Sequence, residues 1–136
     1  MSKVSVLDAS AVLAYLQQEK GQDRVESALD AGPCRLTTVN LCEVLGKLVE
    51  KRMPLQEAQA AVSDLGLLIV DFDAELAALA AALRPRTQSI GASLGDRACL
   101  ALAEQVFRTK KDIPAVFTAE RAWTRLKWPF KIIAIR

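Results

Sequence analysis

The stretch Val4-Ser5-Val6-Leu7-Asp8-Ala9-Ser10-Ala11-Val12-Leu13 decides the fold of this chain. A short run of β-branched and apolar residues reaches an aspartate, and a helical pattern of small and apolar residues begins two positions later. Such a run is typical of a strand buried on both faces of a parallel sheet. Ser10 is a candidate N-cap for the helix that follows. Asp8 is therefore predicted at the carboxyl end of a strand, where open α/β sheets place their ligand sites.

The rest of the chain repeats this alternation of short strands and helices. Apolar runs predict further strands over residues 34–37, 67–70, 115–118 and 131–134. Helical spacing predicts helices over residues 22–29, from Thr38 or Asn40 to about 52, and over 55–65, 73–83, 93–107 and 120–126. The polar, glycine-containing segment 84–92 is predicted as a loop. The pattern indicates one α/β domain over residues 1–136, with a mostly parallel sheet of about five strands and helices on both faces.

Composition excludes several classes of protein. The chain has 136 residues, of which 51% are hydrophobic and 25% charged, as in an average soluble globular domain. It contains no histidine, which excludes Ser-His-Asp and Cys-His catalysis and His-ligated zinc. Cys34, Cys42 and Cys99 are odd in number and widely spaced, so we expect buried free thiols rather than disulfides or a zinc site. With neither a signal peptide nor an apolar run of about 20 residues, a cytoplasmic protein is expected.

Four acidic residues recur close to a strand end or early in a helix: Asp8, Glu43, Asp96 and Glu120. If the first and fourth strands are neighbours, their carboxyl ends place Asp8 and Glu120 on one edge of the sheet, and adjacent helices can direct the other two carboxylates into the same cleft. Clustered carboxylates repel one another unless a cation neutralises them. Oxygen ligands of this kind suit Mg²⁺ or Mn²⁺. The pattern therefore predicts a metal site that can activate water for attack on a phosphate.

Each acidic residue also has a local structural explanation. Ser93-x-x-Asp96 has the form of a capping box, and Asn40-x-x-Glu43 can cap a helix in a similar way. Asp8 can serve in a turn, and Glu120 as a solvated acid in a first helical turn. Two further aspartates, Asp71 and Asp73, follow another predicted strand, and periodicity alone does not exclude them.

Charge is unevenly distributed along the chain. Residues 108–136 hold eight Lys or Arg and two Asp or Glu, whereas residues 1–107 hold ten and fourteen. A basic segment of this kind can attract a polyanion, and it can equally be a solvated face or the rim of a dimer.

Four segments together resemble the PIN domain, most closely the VapC-type toxins of bacterial toxin–antitoxin pairs. They are Val6-Leu7-Asp8-Ala9-Ser10-Ala11-Val12-Leu13-Ala14, Thr38-x-Asn40-x-x-Glu43-Val44, Ser93-Leu94-Gly95-Asp96-Arg97-Ala98-Cys99-Leu100-Ala101-Leu102-Ala103 and Val116-Phe117-Thr118-Ala119-Glu120-Arg121-Ala122-Trp123. The resemblance covers essentially the whole chain, and the third segment is the most specific.

The resemblance implies a three-layer α/β/α sandwich and an endoribonuclease that depends on Mg²⁺ or Mn²⁺ and cleaves structured RNA. Asp8, Glu43 and Asp96 match the first three acidic positions of the family site. Ser10 and Thr118 match its small hydroxyl positions, which help to hold metal-bound water or an acidic ligand. Glu120 stands where the family usually has aspartate, so its contact with a metal is direct, through water, or lost.

The resemblance also implies partners. A small antitoxin protein is expected to bind beside the acidic cleft, and a homodimer is expected to set two sites along one basic groove. The candidates for phosphate contact are Lys47, Lys51, Arg52, Arg84, Arg86 and Arg97. Trp123 and Trp128 can stack on bases, although packing in the core or an interface is the favoured interpretation.

Two other functions compete with the nuclease. One is a PIN-like module that has lost catalysis and acts through an antitoxin or another protein partner, a hypothesis supported by the Glu at position 120. The other is a phosphoacceptor receiver domain, which is also doubly wound. A receiver would require a paired acid before Asp8, and Lys3-Val4-Ser5-Val6-Leu7 supplies none.

Overall fold

The computed structural model describes residues 4–110 and 112–136, and within them the strands form one parallel sheet. The strands are β1 (Ser5–Leu7), β2 (Cys34–Thr37), β3 (Leu68–Val70), β4 (Ala115–Thr118) and β5 (Lys131–Ala134). They are arranged in the order β3-β2-β1-β4-β5, and every neighbouring pair is parallel. This order differs from the flavodoxin-like 2-1-3-4-5 order of receiver domains. The alternative of a receiver domain is therefore wrong.

The helices follow the predicted alternation with two differences. They are α1 (Ala9–Leu16), α2 (Gln22–Ala31), α3 (Thr38–Glu50), α4 (Leu55–Ser63), α5 (Ala74–Ala82), α6 (Arg84–Thr87) and α7 (Leu94–Lys110). The loop predicted over residues 84–92 is wrong, because α6 and a 3₁₀ turn at Gln88–Ile90 occupy most of it. The helix predicted over residues 120–126 is a short 3₁₀ helix, Arg121–Arg125.

Alternation along the central strands sends side chains into two separate cores. Leu7 and Phe117 point to the face covered by α1, α2, α3 and α4. Val6 and Val116, one position earlier on the same strands, point to the face covered by α5 and α7. Side chains with a period of two must separate in this way, because successive residues of a strand point to opposite faces. The result is the predicted three-layer α/β/α sandwich.

Helix α7 packs closely against the sheet. Its residues Ala98 to Ala103 are all buried, as expected of a helical segment that carries no polar side chain. Cys99 lies in this buried segment and Cys34 in β2, whereas Cys42 is exposed, so the prediction of buried thiols is wrong for Cys42. Among the described residues, no helix is both long and apolar enough to cross a membrane.

The strand order creates a switch point beside β1. The chain leaves β1 towards β2 on one side, and β4 pairs with β1 on the other. Doubly wound sheets bind their ligands in the crevice at such a point, outside the carboxyl ends of the strands. Asp8 follows the last residue of β1 directly, so it lies at this crevice.

Candidate metal centre

Strand register brings Asp8 next to Thr118. Leu7 pairs with Phe117 in the parallel ladder, so the residues that follow them lie side by side. The Thr118 hydroxyl donates to one carboxylate oxygen of Asp8 at 2.6 Å. The other oxygen accepts the Ser10 hydroxyl at 2.7 Å and the Ala11 amide at 2.8 Å. Asp8, not Ser10, is therefore the N-cap of α1, and the prediction that Ser10 caps this helix is wrong.

Asp8 is a buried carboxylate with an altered pKa. Its side chain is only 3% exposed. Burial raises the pKa of Asp8 to about 6, while the hydrogen bonds from Thr118, Ser10 and Ala11 lower it and the nearby charge of Asp96 raises it. Loss of hydration therefore outweighs three hydrogen bonds. A cation beside Asp8 would offset the part of the cost of burying its charge that the three hydrogen bonds do not offset.

Glu43 reaches the site through a buried asparagine. Helix α3 follows β2 without a loop, and its N-cap Thr37 is also the last residue of β2. Asn40, buried in the first turn, donates its amide to Glu43 Oε1 at 2.9 Å and to the Gly95 carbonyl at 3.0 Å. Its own oxygen accepts the Thr37 hydroxyl at 2.7 Å. Asn40 thereby connects α3 to the start of α7 and fixes the position of the Glu43 carboxylate.

Gly95 leaves space for that carboxylate. A Cβ atom at position 95 would overlap the carboxylate group of Glu43. The glycine is therefore required by a close approach, and not by an unusual backbone angle. From the sequence, Asn40 is only a candidate cap of α3, a position that Thr37 takes instead, and Gly95 has no predicted role. The sequence signals were a glycine directly before an acidic residue at a helix start and an asparagine one turn before another acid.

Asp96 forms the capping box that its spacing predicted. The Asp96 amide donates to the Ser93 hydroxyl at 3.1 Å, and the Ser93 amide donates to Asp96 Oδ2 at 3.0 Å. The local structural explanation is thus correct for this residue. It does not remove Asp96 from the site, because its charge also acts on the pKa of Asp8.

The charges of three carboxylates act on the buried thiol of Cys99. Burial raises the pKa of Cys99 well above its ordinary value, and the charges of Asp8, Asp96 and Glu43 raise it further. Cys99 lies three residues after Asp96 on the same helix, so the two side chains share a face of α7. The fold therefore brings three of the four predicted acids, which lie far apart in the sequence, near enough for their charges to act on one buried group.

Glu120 is less closely integrated. Its side chain is exposed, whereas its backbone amide donates to the Thr118 hydroxyl at 2.9 Å. The Ala119 amide donates to the Ser10 hydroxyl at 2.9 Å. Ser10 and Thr118 therefore link Asp8 to the backbone that leads into Glu120. The Glu120 carboxylate itself is at the edge of the site.

The donor set fits a hard divalent cation, although the acids are not gathered as ligands. Over residues 4–110 and 112–136, no three acidic or cysteine side chains lie close enough together to hold one metal ion. Asp96 is engaged in its capping box and Glu43 with Asn40. Even so, Asp8 is buried at the crevice with a raised pKa, and the charge of Asp96 raises that pKa further. Oxygen donors with uncompensated negative charge are those that Mg²⁺ and Mn²⁺ prefer.

The remaining candidates lie outside this cluster. Asp73 caps α5 by accepting the Leu76 amide at 2.9 Å, and Asp71 is exposed beyond the edge strand β3. Trp123 is buried in the core, as favoured from the sequence. Trp128 stacks on Phe130 with a ring separation of 5.4 Å, and the guanidinium of Arg86 lies 4.4 Å from its ring centre. These contacts support the prediction that both tryptophans pack within the protein.

A comparison with protein families identifies the class of this fold. The family model described as the PIN domain matches residues 5–128. The chain belongs to the PIN domain family. Members of this family are generally nucleases and usually use divalent metals. No curated protein sequence gives a significant match to this chain.

Three solved structures share the fold at low sequence identity. A chain of the DNA-bound VapBC structure from Salmonella typhimurium has a TM-score of 0.68 and 18% identity, with 98% of each chain covered. A chain of VapBC2 from Rickettsia felis, bound to a promoter DNA fragment, has a TM-score of 0.64 and 14% identity, covering 96% of this chain and 97% of that one. A toxin–antitoxin complex from Klebsiella pneumoniae gives a TM-score of 0.60 and 17% identity, covering 94% and 99%.

Proposed function

We propose that this chain is a metal-dependent endoribonuclease, the toxin of a VapC-type toxin–antitoxin pair, acting in the cytoplasm as a single PIN-like domain over residues 1–136. The observation that carries the proposal is the Asp8 carboxylate, buried at the switch point of the sheet, with its pKa raised by burial and by the charge of Asp96. Membership of the PIN family supports hydrolysis of nucleic acid. The toxin–antitoxin complexes among the similar structures support a small protein partner. The homodimer implied by the resemblance belongs to the same proposal.

In this proposal each residue has a definite task. Asp8, Glu43 and Asp96 hold Mg²⁺ or Mn²⁺, with Glu120 at the edge of the site. When bound, such an ion lowers the pKa of water and stabilises charge on the phosphate that is attacked. Ser10 and Thr118 keep the Asp8 carboxylate oriented through hydrogen bonds of 2.7 and 2.6 Å. Asn40 holds the carboxylate of Glu43 towards α7. None of these tasks requires a histidine.

The test combines metal binding with RNA cleavage. Mg²⁺ and Mn²⁺ binding is measured by calorimetry for the wild type and for the Asp8→Asn/Asp96→Asn double variant, beside cleavage of a structured RNA. We expect the double variant to lose both, because two ligand charges are removed while side-chain volume is kept. Asp23→Asn/Asp30→Asn, which removes the same two charges from exposed positions of α2, is the control and should behave as wild type. Normal cleavage by the double variant would contradict the proposal.

The exposed position of Glu120 supports a second candidate, a PIN-like binding module without catalysis. Glu120→Asp separates the two functions in the same assays. If the natural chain is a nuclease, this variant should cleave RNA at a rate similar to wild type. If only Glu120→Asp binds metal and cleaves, the natural chain acts through its protein partner.

A further inference from the structure

A pocket on the other side of the α7 N-terminus is lined by basic and polar groups. Its volume is about 400 Å³, within the range of ligand pockets. It lies between α6 and the first turn of α7, and its lining holds no acidic residue. We call it the arginine pocket, and its lining residues are Arg84, Thr87, Gln88, Gly91, Ala92, Ser93, Leu94 and Arg97.

Neither arginine of this pocket forms an ion pair with a carboxylate among the described residues. One guanidinium nitrogen of Arg97 donates to the Ala80 carbonyl at 3.1 Å, which links α7 to the end of α5. The Nε atom of Arg97 is buried and finds no acceptor within the described part of the chain. Arg84 is exposed and, among the same residues, forms no ion pair with a carboxylate. Two cations thus face one cavity without an anion.

The start of α7 contributes further donors. Ser93 Oγ accepts the Asp96 amide, so its own proton remains available for an acceptor in the pocket. Helix α7 is 17 residues long, and the amides of its first turn that the Ser93–Asp96 capping box leaves unused lie beside the pocket. Leu94, 52% exposed, offers an apolar surface beside these donors. Two guanidiniums, a hydroxyl and a helix N-terminus form a set of donors that suits a phosphate group.

Position relates this pocket to the acidic site. Ser93 lines the pocket and also exchanges two hydrogen bonds with Asp96. An anion in the pocket and a metal near Asp96 would therefore lie on either side of one helical turn. Arg86, in contrast, is used within the protein, because it packs on Trp128 and donates to the Lys127 carbonyl.

We propose that the arginine pocket binds a phosphodiester group of single-stranded RNA, one that lies beside the bond to be cleaved. This inference rests on the proposed function and adds a substrate-binding site to it. The pocket positions the RNA backbone by charge and shape, and it carries no base specificity, since phosphate contacts fix register without reading sequence.

The first measurement uses inorganic phosphate and no metal. Amide chemical shifts of ¹⁵N-labelled protein are followed in EDTA while phosphate replaces chloride at constant ionic strength. We expect saturable shifts at Gly91, Ser93 and Leu94. Shifts confined to other parts of the molecule, or none at all, would overturn the inference. A short unstructured RNA should displace phosphate from the same amides, which distinguishes an RNA site from a site for the free ion.

The second measurement is binding of a fluorescein-labelled, unstructured RNA in EDTA, followed by anisotropy at several salt concentrations. We expect Arg84→Ala and Arg97→Lys each to weaken binding about fivefold to tenfold, and Arg84→Ala to reduce the salt slope by about 0.7, as for one lost phosphate contact. Arg24→Ala removes the same charge from the exposed face of α2 and should change binding less than about twofold. Equal losses in Arg24→Ala and Arg84→Ala would overturn the inference.

Failure of this inference and failure of the proposed function give different results. If wild type binds metal and cleaves RNA while the pocket variants bind RNA normally, only the pocket assignment is wrong. If the pocket behaves as expected and the protein neither binds metal nor cleaves, the nuclease proposal is wrong and the RNA-phosphate site stands. Arg84 is exposed, so its variant tests the pocket even if Arg97→Lys, which alters the link to Ala80, disturbs folding.

Discussion

At the scale of single residues, the distinctive feature is a carboxylate whose burial is incompletely compensated. Asp8 is 3% exposed, and its pKa is raised to about 6 despite three hydrogen bonds. A purely structural N-cap would gain from staying charged and hydrated at a helix start. Asp8 instead carries a cost in the metal-free protein, as expected of a group positioned for a cation.

This cost predicts how stability depends on pH. The folded protein holds a proton at Asp8 up to about pH 6, whereas the unfolded chain releases it near the ordinary value of 3.8. Between these two pH values the folded state binds more protons than the unfolded state. The contribution of Asp8 to the free energy of unfolding therefore falls as the pH rises to about 6, and it is constant at higher pH. The loss amounts to about 3 kcal/mol. Urea unfolding in EDTA from pH 4 to pH 8 measures it.

Asp8→Asn is the comparison for this prediction, with Asp30→Asn as the control. The asparagine variant should lack the Asp8 part of the decrease between pH 4 and pH 6, because it has no proton to release. Asp30 is exposed, so its variant should keep the wild-type dependence. Identical pH profiles for wild type and Asp8→Asn would contradict the prediction.

The sequence indicated the acids but not their surroundings. Asp8, Glu43 and Asp96 were selected because acids at strand ends and helix starts share one edge of a parallel sheet. The hydrogen bond from Thr118 to Asp8 depends on the register of β1 against β4, which side-chain patterns do not specify. Serine and aspartate are both common at N-caps, so the sequence does not decide between Ser10 and Asp8. The structure places Asp8 at the N-cap of α1.

At the scale of elements, the contact between α3 and α7 controls the site. Gly95→Ala should place a methyl group against the Glu43 carboxylate, which must then move because it is the end of a flexible side chain. We expect the protein to fold normally and to lose about tenfold to a hundredfold in metal affinity, as when the support of a ligand is removed. Calorimetric titration with Mn²⁺, beside thermal unfolding, measures both effects.

Gly46→Ala is the matched control for that substitution. Gly46 lies inside α3, and nothing stands within 4 Å of a Cβ added there. Alanine favours helix interiors over glycine by about 1 kcal/mol, so this variant should be slightly more stable and bind metal as wild type does. Wild-type metal affinity in Gly95→Ala would show that Glu43 is not a ligand.

Element prediction failed where a local signal was ambiguous. Residues 84–92 contain Pro85 and Gly91, which are typical of loops, yet proline is also tolerated in the first turn of a helix. Residue 84 therefore begins α6, and Gly91 ends the following 3₁₀ turn with a left-handed φ of 63°. The error had a consequence, because this helical segment forms one wall of the arginine pocket.

At the scale of the whole molecule, the alternation of strands and helices along the sequence predicts the three-layer α/β/α structure. It does not predict the order of the strands in the sheet. Short apolar runs separated by amphipathic segments specify a parallel sheet between two helical layers. They do not specify which strands are neighbours, and the site exists only because β4 lies beside β1. Glu120 is expected near the other acids only if β4 lies beside β1, as it does. Its backbone does reach Thr118, but its exposed side chain lies at the edge of the site.

The origin of the three central acids predicts that metal binding will stabilise the entire fold. Asp8 comes from the end of β1, Glu43 from α3 and Asp96 from α7, so unfolding of any of these layers would disperse the proposed ligands. An ion that binds only the folded state adds about 2.7 kcal/mol at a hundredfold excess over its Kd. We expect Mg²⁺ or Mn²⁺ at that excess to raise the urea midpoint of the wild type, and EDTA to reverse the effect. Asp30→Asn should respond like wild type and Asp8→Asn/Asp96→Asn should not. An equal rise in the double variant would mean that the ion binds elsewhere on the folded protein, because two of the three proposed ligand charges are absent from that variant.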